Sequence, residues 1–217
     1  MAKPQGKVKI EWSSEFAYAI GLLATDGCLF GGRCIDLTSK DKEQLLNFLA
    51  ALKIDVKIGL KSRGGENDKK YFRVEFGDVL FYRFLISIGI TPAKSHTLAE
   101  IKIPENYFFD FVRGCFDGDG CFYSYWDPRW KSSFMYYVVF ASASKKYVRW
   151  MQDRLKTLLG IKGHITSAKG KSCEQLKYAK KESLQLLHAI YYKKGVMCLS
   201  RKRLKIKAAL GILGERL

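Results

Sequence analysis

Apolar residues follow two different spacings along the chain, and these spacings predict a repeated order of helices and strands. Residues 13–27 run apolar from a serine to an Asp-Gly pair, which is typical of a capped helix. Residues 28–39 alternate around Gly31 and Gly32, which predicts a strand hairpin. The rest of this half predicts a helix over 40–54, a second hairpin over 56–78 and a helix over 79–90 that Gly89 ends.

The second half repeats this order. Its predicted elements are a helix over 106–120, strands over 121–126 and 132–142, a helix over 145–161, a hairpin over 162–179 around Gly170 and a helix over 181–192. The pattern therefore predicts an α+β fold of two pseudo-symmetric αββαββα lobes, each with a four-stranded antiparallel sheet. The predicted boundaries are an N-terminal lobe over 1–98, a linker over 99–104 and a C-terminal lobe over 105–217.

A short segment at the end of the first helix of each half is also repeated. GLLATDGC at 21–28 matches GCFDGDGC at 114–121, which places Asp26 opposite Asp119. Gly21 and Gly114 have no side chain to keep two such helices apart, and the glycine of each Asp-Gly pair can take a positive φ. Two parallel helices of this kind would bring two carboxylates together, an arrangement that divalent ions with oxygen ligands stabilise.

The charge of the chain points to a polyanionic partner. The 38 Lys and Arg outnumber the 21 Asp and Glu, which gives a net charge of +17 and favours nucleic acid over a membrane surface.

The sequence shows no signal peptide and no apolar run long enough to span a membrane. Its six cysteines form no CxxC pair, which argues against structural zinc. We expect an intracellular, DNA-associated protein, in a prokaryotic cytoplasm or an organelle.

The two motifs carry a family resemblance. AIGLLATDG at 19–27 and VRGCFDGDG at 112–120 resemble the two signature motifs of a single-chain LAGLIDADG homing endonuclease. The resemblance implies a monomer that needs no protein partner, binds a long asymmetric double-stranded DNA site and hydrolyses one phosphodiester in each strand, leaving short 3′ overhangs. It implies Mg²⁺ as the cofactor, with Mn²⁺ as a substitute and Ca²⁺ supporting binding without cleavage.

The resemblance also implies site residues. Asp26 and Asp119 would be catalytic metal ligands, and Lys94 and Lys202 would be the basic pair near the scissile phosphates. Main-chain carbonyls at the two helix ends would complete the metal sites, and the residues that offer them are Ala24, Thr25, Asp117 and Gly118. The side chain of Asp117 itself is expected to be a cap or a local polar group.

Alternation along the strands indicates which side chains face DNA. Residues such as Phe72, Val74 and Phe76 are predicted to point inward. Ser39, Lys40, Ser144 and Lys145 precede the second helix of each half, and for the two lysines catalysis and simple contact with the DNA backbone both stay open. The full set of expected DNA contacts is Arg33, Ser39, Lys40, Lys57, Lys61, Arg63, Tyr71, Arg73, Glu75, Tyr123, Tyr125, Ser144, Lys145, Lys162, His164, Thr166, Gln175 and Lys177.

Two other functions fit the same fold and charge. An RNA maturase that assists intron splicing would bind nucleic acid without cutting it, and the two motif aspartates argue against it only mildly. A transcription regulator would carry a damaged motif and a helix-turn-helix domain, and the sequence shows neither. Cleavage of duplex DNA with Mg²⁺ separates the endonuclease from the maturase.

Overall fold

The computed structural model describes residues 6–61, 71–167 and 172–217. This part of the chain contains seven α-helices and two four-stranded antiparallel sheets. Arg63 and the predicted turn at Gly170 lie outside the described residues. None of the helices in the described ranges combines the length and the apolar character that a membrane crossing requires.

The chain divides into two compact units that interleave in sequence. The first unit contains residues 1–94 and 101–118, and the second contains residues 95–100 and 119–217. The predicted linker over 99–104 is therefore shared between them. The second motif helix belongs to the first unit, because it packs against the first motif helix.

The first unit is built on sheet 1, whose strand order is β1-β2-β4-β3. Its elements are α1 Ser14–Thr25, β1 Gly27–Phe30, β2 Cys34–Ser39, α2 Lys42–Leu52, β3 Gly59–Lys61, β4 Tyr71–Gly77, α3 Val79–Ser87, a 3-10 turn Glu105–Tyr107 and α4 Phe108–Asp117. The predicted cap is confirmed, since Ser13 Oγ accepts a hydrogen bond of 3.1 Å from the Phe16 amide. Gly31 and Gly32 both have positive φ at the turn between β1 and β2, as a tight hairpin requires.

The second unit repeats this arrangement as sheet 2, with strand order β5-β6-β8-β7. Its elements are β5 Cys121–Trp126, β6 Phe134–Ser142, α5 Lys145–Leu159, β7 His164–Ser167, β8 Glu174–Ala179, α6 Lys180–Ile190 and α7 Ser200–Ile212. The predicted strands and helices of this half are confirmed, and α7 is an additional helix. Its buried residues, Lys202, Ile206, Ala209 and Leu210, have helical spacing. Because Lys202 is the first of these buried positions, the apolar pattern that would indicate a helix is interrupted at its start.

Each sheet has one apolar face and one open face. In sheet 1, Leu37 lies opposite Val74 and Ile35 lies opposite Phe76, and all four side chains are buried. In sheet 2, a second apolar face contains Phe122, Val138, Phe140, Leu176 and Tyr178. The alternation predicted from the sequence is therefore confirmed for Val74 and Phe76, and it leaves the odd-numbered residues of β4 on the open face.

The two motif helices, α1 and α4, approach at their glycines. A Cβ atom on Gly21 would lie 2.2 Å from the Phe111 carbonyl oxygen, and one on Gly114 would lie 2.1 Å from the Tyr18 carbonyl oxygen. No side chain fits at either place, because real Cβ contacts are almost never below 3.0 Å. The predicted close approach is confirmed, and it fixes α4 to the first unit.

The expected positive φ at the motif glycines is wrong. Neither Gly27 nor Gly120 is among the described residues with positive φ. Space rather than φ explains Gly27, since a Cβ atom there would lie 2.6 Å from the Leu23 carbonyl oxygen. The chain turns back over the end of α1 to begin β1, and only glycine can follow that path.

Candidate active site and nucleic-acid interface

The end of α1 meets the end of α4 within the first unit. Asp26 is the C-cap residue of α1, and its amide donates to the Leu22 carbonyl. A Cβ atom on Gly118 would lie 2.0 Å from Thr25 Oγ1 and 3.1 Å from Asp26 Oδ2. Gly118 therefore lies against the first motif carboxylate, and the absence of a side chain keeps that carboxylate accessible. Asp119 is the next residue along the chain; it is exposed and belongs to the second unit.

A buried glutamine orients the Asp26 carboxylate. Gln44, on α2, is only 2% exposed, and its Nε2 donates a 2.7 Å hydrogen bond to Asp26 Oδ2. Its Oε1 accepts a 2.7 Å bond from the hydroxyl of Ser39. The sequence prediction named Ser39 and Asp26 but missed Gln44, which connects them. The available signal was a polar residue on the buried face of α2, beside Leu45 and Phe48.

Lys94 reaches the same helix end from the segment after α3. It is 8% exposed, and its Nζ donates to the Gly27 carbonyl and, at 3.2 Å, to the Thr25 carbonyl. The preceding residue, Ala93, has φ of 52°, a left-handed conformation that costs energy for a residue with a side chain. That backbone conformation lies next to a predicted functional lysine, which is where such conformations are concentrated.

Lys202 makes the equivalent contact in the second unit. It lies near the start of α7, is 8% exposed and donates a 2.7 Å hydrogen bond from Nζ to the Gly120 carbonyl. Gly120 is the repeat partner of Gly27, so each lysine binds the carbonyl that directly follows a motif aspartate. The two predicted lysines therefore occupy equivalent places, although one is on a loop and the other is on a helix.

Asp117 connects the motif helices rather than capping one of them. Its carboxylate is buried and accepts a 2.9 Å hydrogen bond from the Tyr18 hydroxyl. The Arg113 guanidinium lies over the Tyr18 ring at 5.6 Å and forms a buried 2.6 Å ion pair with Asp110. These paired polar groups lie inside the α1–α4 interface, where burying a polar group without a partner is costly.

The donors at the motif ends suit a hard divalent cation. Carboxylate and main-chain carbonyl oxygens are the ligands that Mg²⁺ and Ca²⁺ take, and Mg²⁺ is commonly held by one or two carboxylates together with substrate phosphates. Among the described residues no group of three or more His, Cys, Asp or Glu could hold a metal ion. The Thr25 carbonyl already accepts from Lys94, but a carbonyl oxygen has a second lone pair. The residues present therefore fit an ion that takes some of its ligands from the protein and the rest from a phosphate.

The open face of sheet 1 is charged but internally paired. Arg73 forms ion pairs with both Asp36 and Glu75, and Lys61 lies 3.8 Å from Asp36. Asp36 is 4% exposed and also accepts a 2.9 Å bond from Thr38. These ion pairs restrain the Arg73 side chain on the open face. Asp36, which orients it, was not predicted as a site residue.

The other predicted contacts of the first unit lie around this face. Lys40 is exposed and its ammonium lies over the Tyr71 ring at 5.4 Å, a cation–π contact. Arg33 is exposed at the tip of the β1–β2 turn, and Lys57 is exposed just before β3. Sheet 1 thus has exposed basic residues around its edge, and the acidic and basic side chains at its centre pair with one another.

The strand register of sheet 2 places its predicted contacts on one open face. His164 lies opposite Lys177, and Thr166 lies opposite Gln175. In the neighbouring pair of strands, Tyr123 lies opposite Tyr137. Lys162 is exposed just before β7, and its main chain is held by Gln152 and Glu182.

Three tyrosines form a stack on this face. The ring centroids of Tyr123 and Tyr137 are 5.1 Å apart, and Tyr125 stacks at 6.4 Å from Tyr123 and 6.3 Å from Tyr137. Partial burial raises the pKa of Tyr123 and of Tyr137 above the usual value. Both hydroxyls therefore stay protonated at neutral pH and can donate hydrogen bonds. Tyr137 was not predicted from the sequence.

Ser144 is a helix cap in the structure. It is 1% exposed, donates to the Leu98 carbonyl and accepts from the Tyr147 amide at the start of α5. The sequence matched Ser144 with Ser39, but the residue that ends β6, as Ser39 ends β2, is Ser142. The sequence match was therefore two positions out of register. Ser39 and Ser144 each directly precede a lysine, and this local likeness paired them. Lys145, the first residue of α5, is exposed.

Several solved structures share this fold. The N-terminal LAGLIDADG domain of WhiA has a TM-score of 0.55 and 19% identity, over 90% of this chain and 88% of that one. The LAGLIDADG homing endonuclease I-LtrWI, bound to target DNA, has a TM-score of 0.60 and 10% identity, over 93% and 91%. The LAGLIDADG meganuclease I-AabMI, bound to uncleaved DNA, has a TM-score of 0.61 and 12% identity, over 91% and 89%.

The chain has the LAGLIDADG fold. The predicted fold class is therefore confirmed, with two four-stranded antiparallel sheets and the helices that accompany them. No protein-family sequence model and no curated protein sequence matches the chain. At 10–19% identity the likeness establishes the fold alone, so the activity has to be argued from the residues.

Proposed function

We propose that this chain is a site-specific, metal-dependent DNA endonuclease. It binds a long asymmetric double-stranded site as a monomer and hydrolyses one phosphodiester in each strand, leaving short 3′ overhangs. Two of the solved structures with this fold are a homing endonuclease bound to target DNA and a meganuclease bound to uncleaved DNA. The net charge of +17 supports a nucleic acid as the partner.

One observation carries the proposal. Behind each motif aspartate, a lysine that is 8% exposed donates to the equivalent carbonyl, Lys94 to Gly27 and Lys202 to Gly120. Burying a lysine ammonium costs energy unless it is well paired. If each Asp-Gly pair served only to end a helix, there would be no reason to bury a lysine beside both of them. A helix end that carries a carboxylate and also holds a buried ammonium is suited to a reaction at a phosphate.

Each motif end has ligands for an oxygen-bound divalent ion. Asp26 would hold it with the Ala24 and Thr25 carbonyls, and Asp119 would hold it with the Gly118 carbonyl, with Mg²⁺ as the natural ion and Mn²⁺ as its substitute. A bound ion would polarise the scissile phosphate and lower the pKa of a bound water. Gln44 fixes the orientation of the Asp26 carboxylate, so that one oxygen is restrained by the protein.

The two lysines would stabilise negative charge that develops on the phosphate. We expect Lys94→Gln and Lys202→Gln each to lower the single-turnover cleavage rate with Mg²⁺ by about 10²–10³-fold, the size of effect seen when one positioned donor is removed from a transition state. Binding measured with Ca²⁺ should change little, because each lysine is one contact among many. Lys102→Gln removes the same charge from an exposed residue of the first unit and should cut normally. Equal rates for all three variants would contradict the assignment.

The open faces of the sheets would read the DNA. A two-stranded ribbon or a sheet fits the major groove, and arginine and glutamine are suited to guanine and adenine edges. Arg73 is restrained by Asp36 and Glu75, and its guanidinium has further donors that could reach a base edge. Gln175 and Thr166 offer hydrogen-bonding groups on the second face.

Binding should weaken strongly as salt rises. Each phosphate neutralised by Lys or Arg contributes about −0.9 to the slope of log K against log salt, so about six to ten contacts would lower the affinity by about a thousandfold or more between about 50 and 200 mM salt. Lys57→Ala should flatten the slope by about one contact for all sequences. Arg83→Ala, on the exposed side of α3, is the matched control. The measurement is a titration with Ca²⁺ on cognate and scrambled duplexes, and an affinity insensitive to salt would rule out the model.

Selection of cleaved molecules from a randomised duplex library with Mg²⁺ tests the proposal as a whole. We expect a unique, non-palindromic site to be recovered, and no product when EDTA replaces the ion. A palindromic site would contradict the monomer. Tight nucleic-acid binding with no cleavage of any duplex would favour the RNA maturase instead.

A further inference from the structure

A second basic surface lies away from the sheets, at the junction of α6 and α7. Residues 180–207 contain nine lysines and arginines and a single acidic residue, Glu182. By contrast, the basic residues that the described strands place on the open face of sheet 2 are His164 and Lys177. Much of the positive charge of the second unit is therefore on α6, α7 and the loop between them and, Lys202 apart, is used neither by the proposed DNA-reading sheets nor by the motif ends.

These helices enclose a basic cavity. The α6–α7 cavity has a volume of about 400 Å³, and its lining includes His188, Tyr191, Lys193, Lys194, Arg203 and Lys207. One water occupies about 30 Å³ in the liquid, so the space admits a phosphate group with room for its neighbours. No acidic side chain of the described ranges forms an ion pair with the lysines or the arginine of this lining.

The Arg203 side chain packs against a tyrosine ring and keeps an unused hydrogen-bond donor. Its guanidinium carbon lies 5.9 Å from the centre of the Tyr191 ring, a cation–π contact. Its Nε atom is buried and has no hydrogen-bond partner within the described residues. A planar, oriented guanidinium is the group best suited to a phosphate.

The cavity also has an exposed aromatic ring at its rim. Tyr192 is 47% exposed, and the Lys193 ammonium lies over its ring at 5.6 Å. Basic groups interleaved with aromatic rings are typical of surfaces that bind single strands, whose unpaired bases can stack on the rings. A duplex keeps its base faces stacked inside and cannot use such a ring.

The cavity lies on the opposite side of sheet 2 from its open face. Helix α6 packs against β6 and β8 through Leu186, Leu187 and Ile190, which are buried on the apolar face of the sheet. The cavity at the end of α6 is thus on the helical side of the second unit. A nucleic acid bound there makes contacts additional to those of the sheet.

We infer that the α6–α7 cavity binds a backbone phosphate of a single-stranded nucleic acid, with Arg203 and Lys194 on the phosphate and Tyr192 beneath a base. This inference is independent of the proposed cleavage, because it uses neither the motif aspartates nor the sheets. A chain that failed to cut any duplex could still show it, and a chain that cuts could lack it.

The test is binding of a fluorescein-labelled oligothymidylate of about twelve nucleotides to the full chain in EDTA. We expect Lys194→Gln/Arg203→Gln to bind at least about tenfold more weakly, as when one charge-assisted hydrogen bond is lost, and to lower the salt slope by about 0.7 for each contact removed. The matched control is Lys181→Gln/Lys205→Gln, which removes the same charge from exposed residues of the same helices. It should lose less than about threefold.

Three outcomes would overturn the inference. The first is an equal loss in the control and cavity variants, which would show a diffuse charge effect. The second is a loss of duplex binding with single-strand binding unchanged. The third is saturation of the cavity by about 10 mM inorganic phosphate, at constant ionic strength, with no displacement of the oligonucleotide. If circular dichroism shows that the Arg203 variant is unfolded, Lys193→Gln/Lys194→Gln on the exposed loop decides the same question.

Discussion

Gly21→Ala is expected to destabilise the first unit by about 3 kcal/mol or more, at the upper end of the cost of overpacking a core. The added methyl group would lie 2.2 Å from the Phe111 carbonyl oxygen and 2.8 Å from the Cys115 amide nitrogen. Both are backbone atoms of α4, so no side chain can rotate away, and the helices must separate. Since whole domains are stable by only about 5–15 kcal/mol, we expect a large fall in the midpoint of urea unfolding.

Gly114→Ala should have the same effect, because its methyl group would lie 2.1 Å from the Tyr18 carbonyl oxygen. Gly211→Ala is the matched control. It is also in a helix, but a Cβ atom there meets nothing within 4 Å, so alanine should stabilise by about 0.5–1 kcal/mol through helix propensity. If Gly21→Ala unfolded at the same urea concentration as the unmodified chain, the helix contact would be wrong.

Asp26→Asn and Asp119→Asn are each expected to abolish double-strand cleavage, with a loss of more than about 10³-fold in rate. Each would remove the carboxylate that is proposed to hold the ion at its motif end, while asparagine keeps the size of the side chain. In the first variant, Gln44 still has an oxygen to which it can donate. Binding to the target with Ca²⁺ should persist, because the sheets are unchanged and a negative charge near DNA has been removed.

The measurement is a single-turnover assay on a supercoiled substrate, which separates intact, nicked and linear DNA. One inactive site with one active site should give nicked product, and the combined variant should give none. Asp153→Asn, an exposed position on α5, controls for the charge change and should cut both strands. Linear product from Asp26→Asn at the rate of the unmodified chain would exclude Asp26 as a metal ligand.

Features that depend on neighbours in sequence were predictable without the structure. The cap at Ser13, the glycine turn after β1 and the alternation in β4 follow from local hydrogen bonding and from the period of the elements. The repeat itself predicted the close approach of Gly21 and Gly114, because a glycine at the matching position of both motif helices has no side chain to keep the two backbones apart. The two-sheet architecture followed from the order of the elements.

The tertiary structure decided the features that depend on contacts between distant segments. Gln44 is 18 residues from Asp26 and Lys202 is 82 residues from Gly120, so no local pattern could connect them. The sequence left a cap or a local polar role open for Asp117 and placed a DNA contact at Ser144, and the structure gives both residues buried internal partners. The glycine of the first Asp-Gly pair proved to be required for space rather than for φ. In each case local propensity was compatible with several outcomes, and the decisive contribution was the cost of leaving a buried polar group unpaired or of forcing two backbones apart.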